Sequence, residues 1–403
     1  MSVFVSILGL GFLILIHEAG HFLVARAVGM NPRKFYVGFP PALVKTKRNG
    51  IEYGIGAIPL GGYVKIPGMH RPAAGDLDVH FGRAVEEEPS LRRPVAELRE
   101  RLEESDYAGA REAVARVGAQ LDQATVSPVA LKTAQRGLVD VDDALAPDAY
   151  WRAQTWKRVA VIFAGPGANL VLAVILFALL FMVGGGKATR TVDEIVPGTP
   201  AAAMGLRADD RIVAIDGHSV EADEIAERIS GSGGAPLEVT VERDRKTVTL
   251  GPIAPTRTDG AYRLGFVLRG EGLGPAESTW QAVRVTGIVT KEIGASVGRL
   301  VTGDGRDEIS SPVGIVQGSS EAVEQGADTY LWVLGLISLS LALLNLLPLL
   351  PLDGGHIAFS LVEGIRGKAV TREVYERVSV VGIAVVLLLF FIGLSNDIGR
   401  LGN

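Results

Sequence analysis

The chain has 403 residues, 48% of them hydrophobic, and a positive mean hydropathy, which argues against a wholly water-soluble protein of two or three domains. Forty Lys and Arg against 45 Asp and Glu leave a formal charge of -5, without the basic excess that draws a chain onto nucleic acid, so a nucleic-acid partner is set aside. There is no cysteine, which excludes disulfides, thiolate nucleophiles and sulfur-ligated zinc; a metal would have to be held by His, Asp or Glu.

The first element, within residues 1-30, is an apolar run from Ser2 to Ala25. It lacks a preceding basic segment and a small-residue cleavage site, so it reads as a retained membrane anchor rather than a signal peptide. Inside it His17, Glu18, Ala19, Gly20 and His21 spell HExxH. On a helix, positions i and i+4 share one face, so two imidazoles can grip one cation with Glu18 beside its bound water; zinc is the natural occupant. Three ionisable residues in mid-bilayer cost ~2.5 to 3.5 kcal/mol each on insertion scales, which implies a use for them.

Residues 31-68 follow as a cytoplasmic β-hairpin region. Ile51 to Ile66 alternates Gly, aromatic and β-branched residues around Pro59 and the Gly61-Gly62 turn, and Gly54 and Gly56 either permit close backbone approach or mark bulges. Residues 69-150 form a charged, Ala-rich insert in which Val95 to Leu121 carries helical periodicity, predicting a small soluble helical hairpin. A second span, Val159 to Val183, lies in residues 151-184. Residues 185-270 read as short strands with one or two helices, and residues 271-330 as a linker with an amphipathic helix from Ala276 to Val301. The third span, Leu331 to Leu352, lies in residues 331-360; a loop of residues 361-375 and a fourth span, Val378 to Leu394, within residues 376-396, complete the chain.

About 20 apolar residues cross ~30 Å of hydrocarbon as a helix, so each of the four runs can span a bilayer. Basic residues cluster after the first span (Arg26, Arg33, Lys34), before the second (Arg152, Lys157, Arg158) and between the third and fourth (Arg366, Lys368, Arg372, Arg377), whereas Asp307 to Tyr330 has none. The positive-inside rule then gives an N-out, four-span topology, with Gly184 to Tyr330 outside. Trp156 and Trp332 fall at span ends, suited equally to the interface or to ordinary packing.

A catalytic zinc needs three protein ligands and an open position, and the third span supplies one acid, Asp353, at the end of an apolar run. Spans one and three travel in the same direction, so Asp353 and the HExxH pair approach the same leaflet. At ~1.5 Å per residue, His17 lies ~22 Å below Ser2 and Asp353 ~33 Å below Leu331, a mismatch that tilt and the prolines at 348 and 351 would absorb.

HExxH in the first span together with Asn345, Pro348, Leu352, Asp353, Gly354 and Gly355 resembles the bacterial site-2 protease family of intramembrane zinc metalloproteases. Ala164-Gly165-Pro166-Gly167-Ala168-Asn169 resembles that family's middle-span signature, and Gly54 to Val64, with its Pro-Leu-Gly-Gly-Tyr, its membrane hairpin. Asp193 to Leu206 leading into Asp210 to Gly217 is similar to one PDZ domain of the bacterial protease type, with Asp209-Asp210 where Gly-Asp is common. Ser311 to Ile315 resembles the segment leading into the third span. The implied fold is an α-helical polytopic membrane protein with four transmembrane helices, a membrane-associated β-hairpin and one extracytoplasmic α+β PDZ domain.

The resemblance implies a zinc site of His17, His21 and Asp353 with Glu18 as proton shuttle, substrate backbone held by Asn345 and Asn169, and strand addition of substrate to the hairpin at Gly54, Ile55 and Gly56. An interhelical hydrogen bond is the alternative for each asparagine. His356 reads as a residue near the site rather than a ligand, and His70, His80 and His218 as surface or core histidines. Implied partners are the lipid bilayer, single-span membrane substrates such as anti-sigma factors or spent signal peptides, and a peptide ligand of the PDZ domain, in a bacterial cytoplasmic membrane. A non-catalytic PDZ scaffold and a metal transporter are the competing classes. The intact Glu18 argues against the first, and the scarcity of polar residues in spans two and four against the second.

Overall fold

The computed structural model describes residues 1–258, 260–302, 305–306 and 309–401, so Asp307 lies outside the described residues. Among the described residues, four helices are long and apolar enough to cross a membrane, Ser2–Ala27, Thr155–Gly185, Ala327–Asn345 and Glu373–Arg400. The chain divides into two compact units, one of residues 1–171, 299–320 and 338–403, the other of residues 172–298 and 321–337.

In the first unit, α1 (Ser2–Ala27) is apolar on almost every face, as a lipid-immersed helix should be. Two strands follow, β1 (Lys34–Arg48) and β2 (Ile51–Lys65), joined by Asn49-Gly50 with φ of 50° and 81°. Two consecutive positive φ values are what a tight two-residue hairpin turn demands, and Asn-Gly is the pair that accepts them. Both strands bend midway, so the sheet has four segments. Thr46 pairs with Tyr53 and Lys45 with Gly54, while Phe35 pairs with Tyr53 on one side and with Val64 on the other.

The insert contains more than a helical hairpin. Four helices, α2 (Asp76–Glu87), α3 (Arg92–Glu103), α4 (Tyr107–Leu121) and α5 (Pro128–Leu145), surround one core that includes Leu77, Phe81, Leu98, Val117, Ala134 and Val141. Asp106 caps α4 at the Gly109 amide, and Ser127 caps α5 at the Ala130 amide. This bundle is tied to the base of the sheet by ion pairs from Arg33 to Asp143 and Asp148 and from Lys65 to Asp140 and Asp143, at 2.8 to 3.0 Å.

The second span, α6 (Thr155–Leu180), closes in a wide turn over Phe181–Gly185. In the second unit, β3 (Lys187–Ile195), α7 (Pro200–Ala203), β4 (Arg211–Ile215), β5 (His218–Ser219), α8 (Ala222–Gly231), β6 (Leu237–Arg243), β7 (Lys246–Ile253), β8 (Thr256–Thr258), β9 (Ala261–Arg263) and β10 (Phe266–Glu271) build an α+β body. Its main sheet runs β10-β3-β4-β6-β7, over a core of Val192, Ile212, Ile225, Val239 and Leu264. Asp209 takes φ 68°, a left-handed position that Asp tolerates better than most residues and that explains why Asp stands where Gly is common. Trp332 packs on Phe177 at 5.0 Å between ring centres, and Trp156, in the first unit, is 58% exposed, as an interfacial residue would be.

The long helix α9 (Pro275–Thr302) and α10 (Pro312–Gln325) precede the third span. That span ends earlier than its hydropathy suggests. α11 (Ala327–Asn345) stops at Asn345, residues 346–352 turn, and Asp353 opens a separate helix, α12 (Asp353–Arg366). Pro348 and Pro351 lack the amides a continuous helix would need, and a Leu-rich run conceals that break from any hydropathy window. The last span, α13 (Arg372–Leu401), bears exposed Val380, Val381, Leu388 and Phe391, an apolar surface suited to lipid. Its end is anchored by Asp397, which accepts the Ser311 and Gly314 amides at 2.8 and 3.1 Å.

Candidate metal centre

His17 and His21 lie one turn apart on α1, and both are buried. Their Nε2 atoms stand 3.2 Å from each other, and Asp353 Oδ2 is 3.2 Å from His17 Nε2 and 3.4 Å from His21 Nε2. His21 Nδ1 lies 2.8 Å from the Val161 carbonyl of α6. A carbonyl only accepts, so the proton sits on Nδ1 and leaves Nε2 bare toward the site. Three ligand atoms at 3.2 to 3.4 Å match the edge of a tetrahedron, ~3.3 Å, drawn around a cation with ~2.0 to 2.1 Å bonds. Asp353 Oδ2 is buried and receives no hydrogen bond, which leaves it open to a cation. Among the described residues, this is the only group of three or more His, Asp or Glu side chains close enough to hold a metal ion.

Glycines make this convergence possible. A Cβ at Gly165 would stand 2.2 Å from His21 Nε2, and one at Gly20 would stand 2.3 Å from the Ala164 carbonyl oxygen, so α1 and α6 approach through two bare backbones. Behind Asp353, a Cβ at Gly354 would meet the Leu346 and Leu347 carbonyl oxygens at 2.2 Å, so the Gly pair lets the turn close tightly against the start of α12.

Glu18 is half-buried, with His21, His17 and Asp353 near enough to act on its charge and the Val64 amide directed at its carboxylate. A Cβ at Gly62 would lie 2.8 Å from Glu18 Cγ, so the strand Gly62–Lys65 passes directly over the carboxylate. That strand is an edge of the four-segment sheet. Gly54 and Ile55 are not: Ile55 pairs with Val37 on one side and Val44 on the other. The expectation of strand addition is therefore corrected at Gly54 and Ile55, because this chain already fills their ladder positions on both sides, while Gly56 pairs with Ala42. Gly54 instead makes room for the Tyr36 ring, 2.3 Å from where a Cβ would sit.

Asn169 is fully buried on α6, its amide nitrogen 3.4 Å from His17 Nδ1. Asn345, the last residue of α11, is half-buried and makes no side-chain hydrogen bond among the described residues. His356 sits on α12 with the Tyr375 hydroxyl 3.2 and 3.3 Å from its two ring nitrogens, and the His70 ring packs on Tyr375 at 4.6 Å. His80 lies in the insert against Gly137, and His218 is exposed. Val161, Gly165, Gly62 and Val64 were not legible as site residues. The first and last act through backbone atoms, which no side-chain pattern announces; the two glycines stand inside recognisable Gly-rich motifs.

The sequence profile described as Peptidase family M50 matches residues 5–389. A putative zinc metalloprotease of Agrobacterium fabrum is 31% identical, covering 98% of this chain and 95% of its own length. The zinc metalloprotease RasP of Geobacillus kaustophilus is 31% identical over 99% of this chain and 98% of its own, and the probable protease eep of Enterococcus faecalis 26% identical over 99% of each. With the match running through all four apolar helices, the chain belongs to peptidase family M50, the site-2 proteases, and is a zinc metalloprotease.

Proposed function

We propose that this protein cleaves single-span membrane proteins within the bilayer, with His17, His21 and Asp353 holding zinc and Glu18 moving the proton. The observation that carries the reading is the triangle of ligand atoms from His17, His21 and Asp353, 3.2 to 3.4 Å on a side, built on a span-forming helix beside one carboxylate. When bound there, zinc supplies a Lewis acid that polarises the scissile carbonyl and acidifies water. Glu18 accepts the proton of the attacking water and delivers it to the leaving amine nitrogen.

A substrate helix must unwind to be cut, and its freed amides need partners where water is scarce. The edge strand Gly62–Lys65 supplies a ladder directly over Glu18, and Asn345, with its amide unengaged, can hold a further backbone group. Substrates of this form include anti-sigma factors and spent signal peptides, which makes the reaction a regulated intramembrane proteolysis in a bacterial cytoplasmic membrane.

The basic loops support an N-out topology with Lys187–Glu271 outside. Its five-strand path with two helices supports the PDZ reading, a module that binds peptide ends and admits only substrates already shortened outside the membrane. The test is cleavage in liposomes of one single-span substrate with and without a folded outer domain, by the full chain and by a chain lacking residues 192–267. Preferential cutting of the short form by the full chain, relaxed by the deletion, supports the filter. No cutting of either form by the zinc-loaded full chain overturns the intramembrane reading.

A further inference from the structure

His21 has its tautomer fixed by the Val161 carbonyl; His17 needs an equivalent, and among the described residues the polar side chain at its outer nitrogen is Asn169. As placed, the Asn169 NH2 group faces His17 Nδ1 at 3.4 Å, while Asn169 Oδ1 is buried without a partner. A His17 that binds metal through Nε2 carries its proton on Nδ1, so two donors would then confront each other. The two ends of an amide have the same shape, and their assignment follows from hydrogen bonding. Turning the Asn169 amide by half a rotation brings Oδ1 onto the Nδ1 proton, removes the confrontation and leaves the NH2 as the end without a protein partner. Asn169 is itself held, because its backbone carbonyl accepts the buried Ser338 hydroxyl of α11 at 2.8 Å.

We infer that Asn169 is a positioning residue for the metal: through Oδ1 it holds His17 in the tautomer that leaves Nε2 bare, as Val161 does for His21. This rests on the reading of His17 as a zinc ligand. α6 then supplies both orienting contacts while α1 supplies both imidazoles, so zinc affinity depends on the seating of one helix against the other.

The experiment is zinc affinity by chelator competition on the detergent-purified full chain, with the unfolding temperature of each metal-free protein measured alongside. Asn169→Leu, similar in size and without an acceptor, should lose about 10- to 100-fold in zinc affinity, the usual effect of removing a hydrogen bond that orients a ligand. Asn169→Asp, which keeps the acceptor, should hold zinc within about threefold of the wild type. Metal-free Asn169→Leu should unfold no earlier than metal-free wild type. Zinc affinity unchanged in Asn169→Leu, with a raised KM, would overturn the inference and assign the amide to substrate. Equal zinc loss in the Leu and Asp variants, accompanied by earlier unfolding of both metal-free proteins, would overturn it in favour of helix packing. His17→Ala at wild-type affinity would instead refute the ligand assignment beneath it, a result the Asn169 variants alone cannot produce.

Discussion

Gly165→Ala adds one methyl group on the face of α6 that meets His21. At an open helical site this change stabilises by about 1 kcal/mol, because alanine loses less backbone entropy than glycine. Here the new Cβ would lie 2.2 Å from His21 Nε2, 2.6 Å from Cε1 and 2.8 Å from Cδ2. Ordinary carbon contacts begin near ~3.5 Å, so the ring or the helix must yield by about 1.3 Å. Metal-ligand distances tolerate about 0.2 Å, and the displaced atom is the ligand itself. Losing only the orientation of a ligand costs about 10- to 100-fold, so displacement should exceed 100-fold, more than ~2.7 kcal/mol. Zinc per purified chain, with affinity by chelator competition, measures this directly. Gly11→Ala, also in a spanning helix and with open space at its Cβ, serves as the control and should bind zinc as the wild type does. Wild-type affinity in Gly165→Ala would refute the packing of α6 against His21 and with it the assembly of the site.

Val64→Pro removes the amide directed at Glu18 and blocks the free edge, so kcat/KM for a single-span substrate should fall by about 10-fold or more with zinc content unchanged, whereas Ile55→Pro, inside the sheet, should also make the hairpin protease-sensitive. Unchanged kcat/KM in Val64→Pro would place substrate elsewhere. In the α+β body of Lys187–Glu271, burial opposes the charge of Asp210, but hydrogen bonds from Arg243 at 2.6 and 2.7 Å and from the Arg207 amide outweigh it and hold the carboxyl below its usual range. A depressed folded pKa contributes stability above the unfolded value of about 3.9 that is lost as pH falls through the folded value. Asp210→Asn should therefore cost about 2 to 3 kcal/mol at pH 7, the gap to wild type closing below about pH 4; a gap independent of pH would contradict the ion pair as its source.

The spans, the HExxH face and the need for a third ligand were legible because each rests on local periodicity or on the valence of a metal. The break after Asn345 was not, since Leu346 to Leu352 is as apolar as the helix before it and only its prolines signal the turn. Two of the four insert helices went unseen for a related reason: α5 presents small residues, Ala130, Ala134 and Gly137, to the core, and α2 carries its few apolar side chains among acids. The exchange of Ile55 for Gly62–Lys65 as the exposed edge depends on both strands bending back on themselves, a long-range event that alternation along one strand does not encode. Asn169 could be named from its motif, yet its partner could not, because the contact spans 152 residues.

The claim that Glu18 moves the proton while three other side chains hold the metal is tested most directly by Glu18→Ala, assayed for zinc per chain and for cleavage of a single-span substrate in the same preparation. Full zinc with cleavage lost is the expected result, against loss of both in His21→Ala and Asp353→Ala. Cleavage by Glu18→Ala at the wild-type rate would contradict the account.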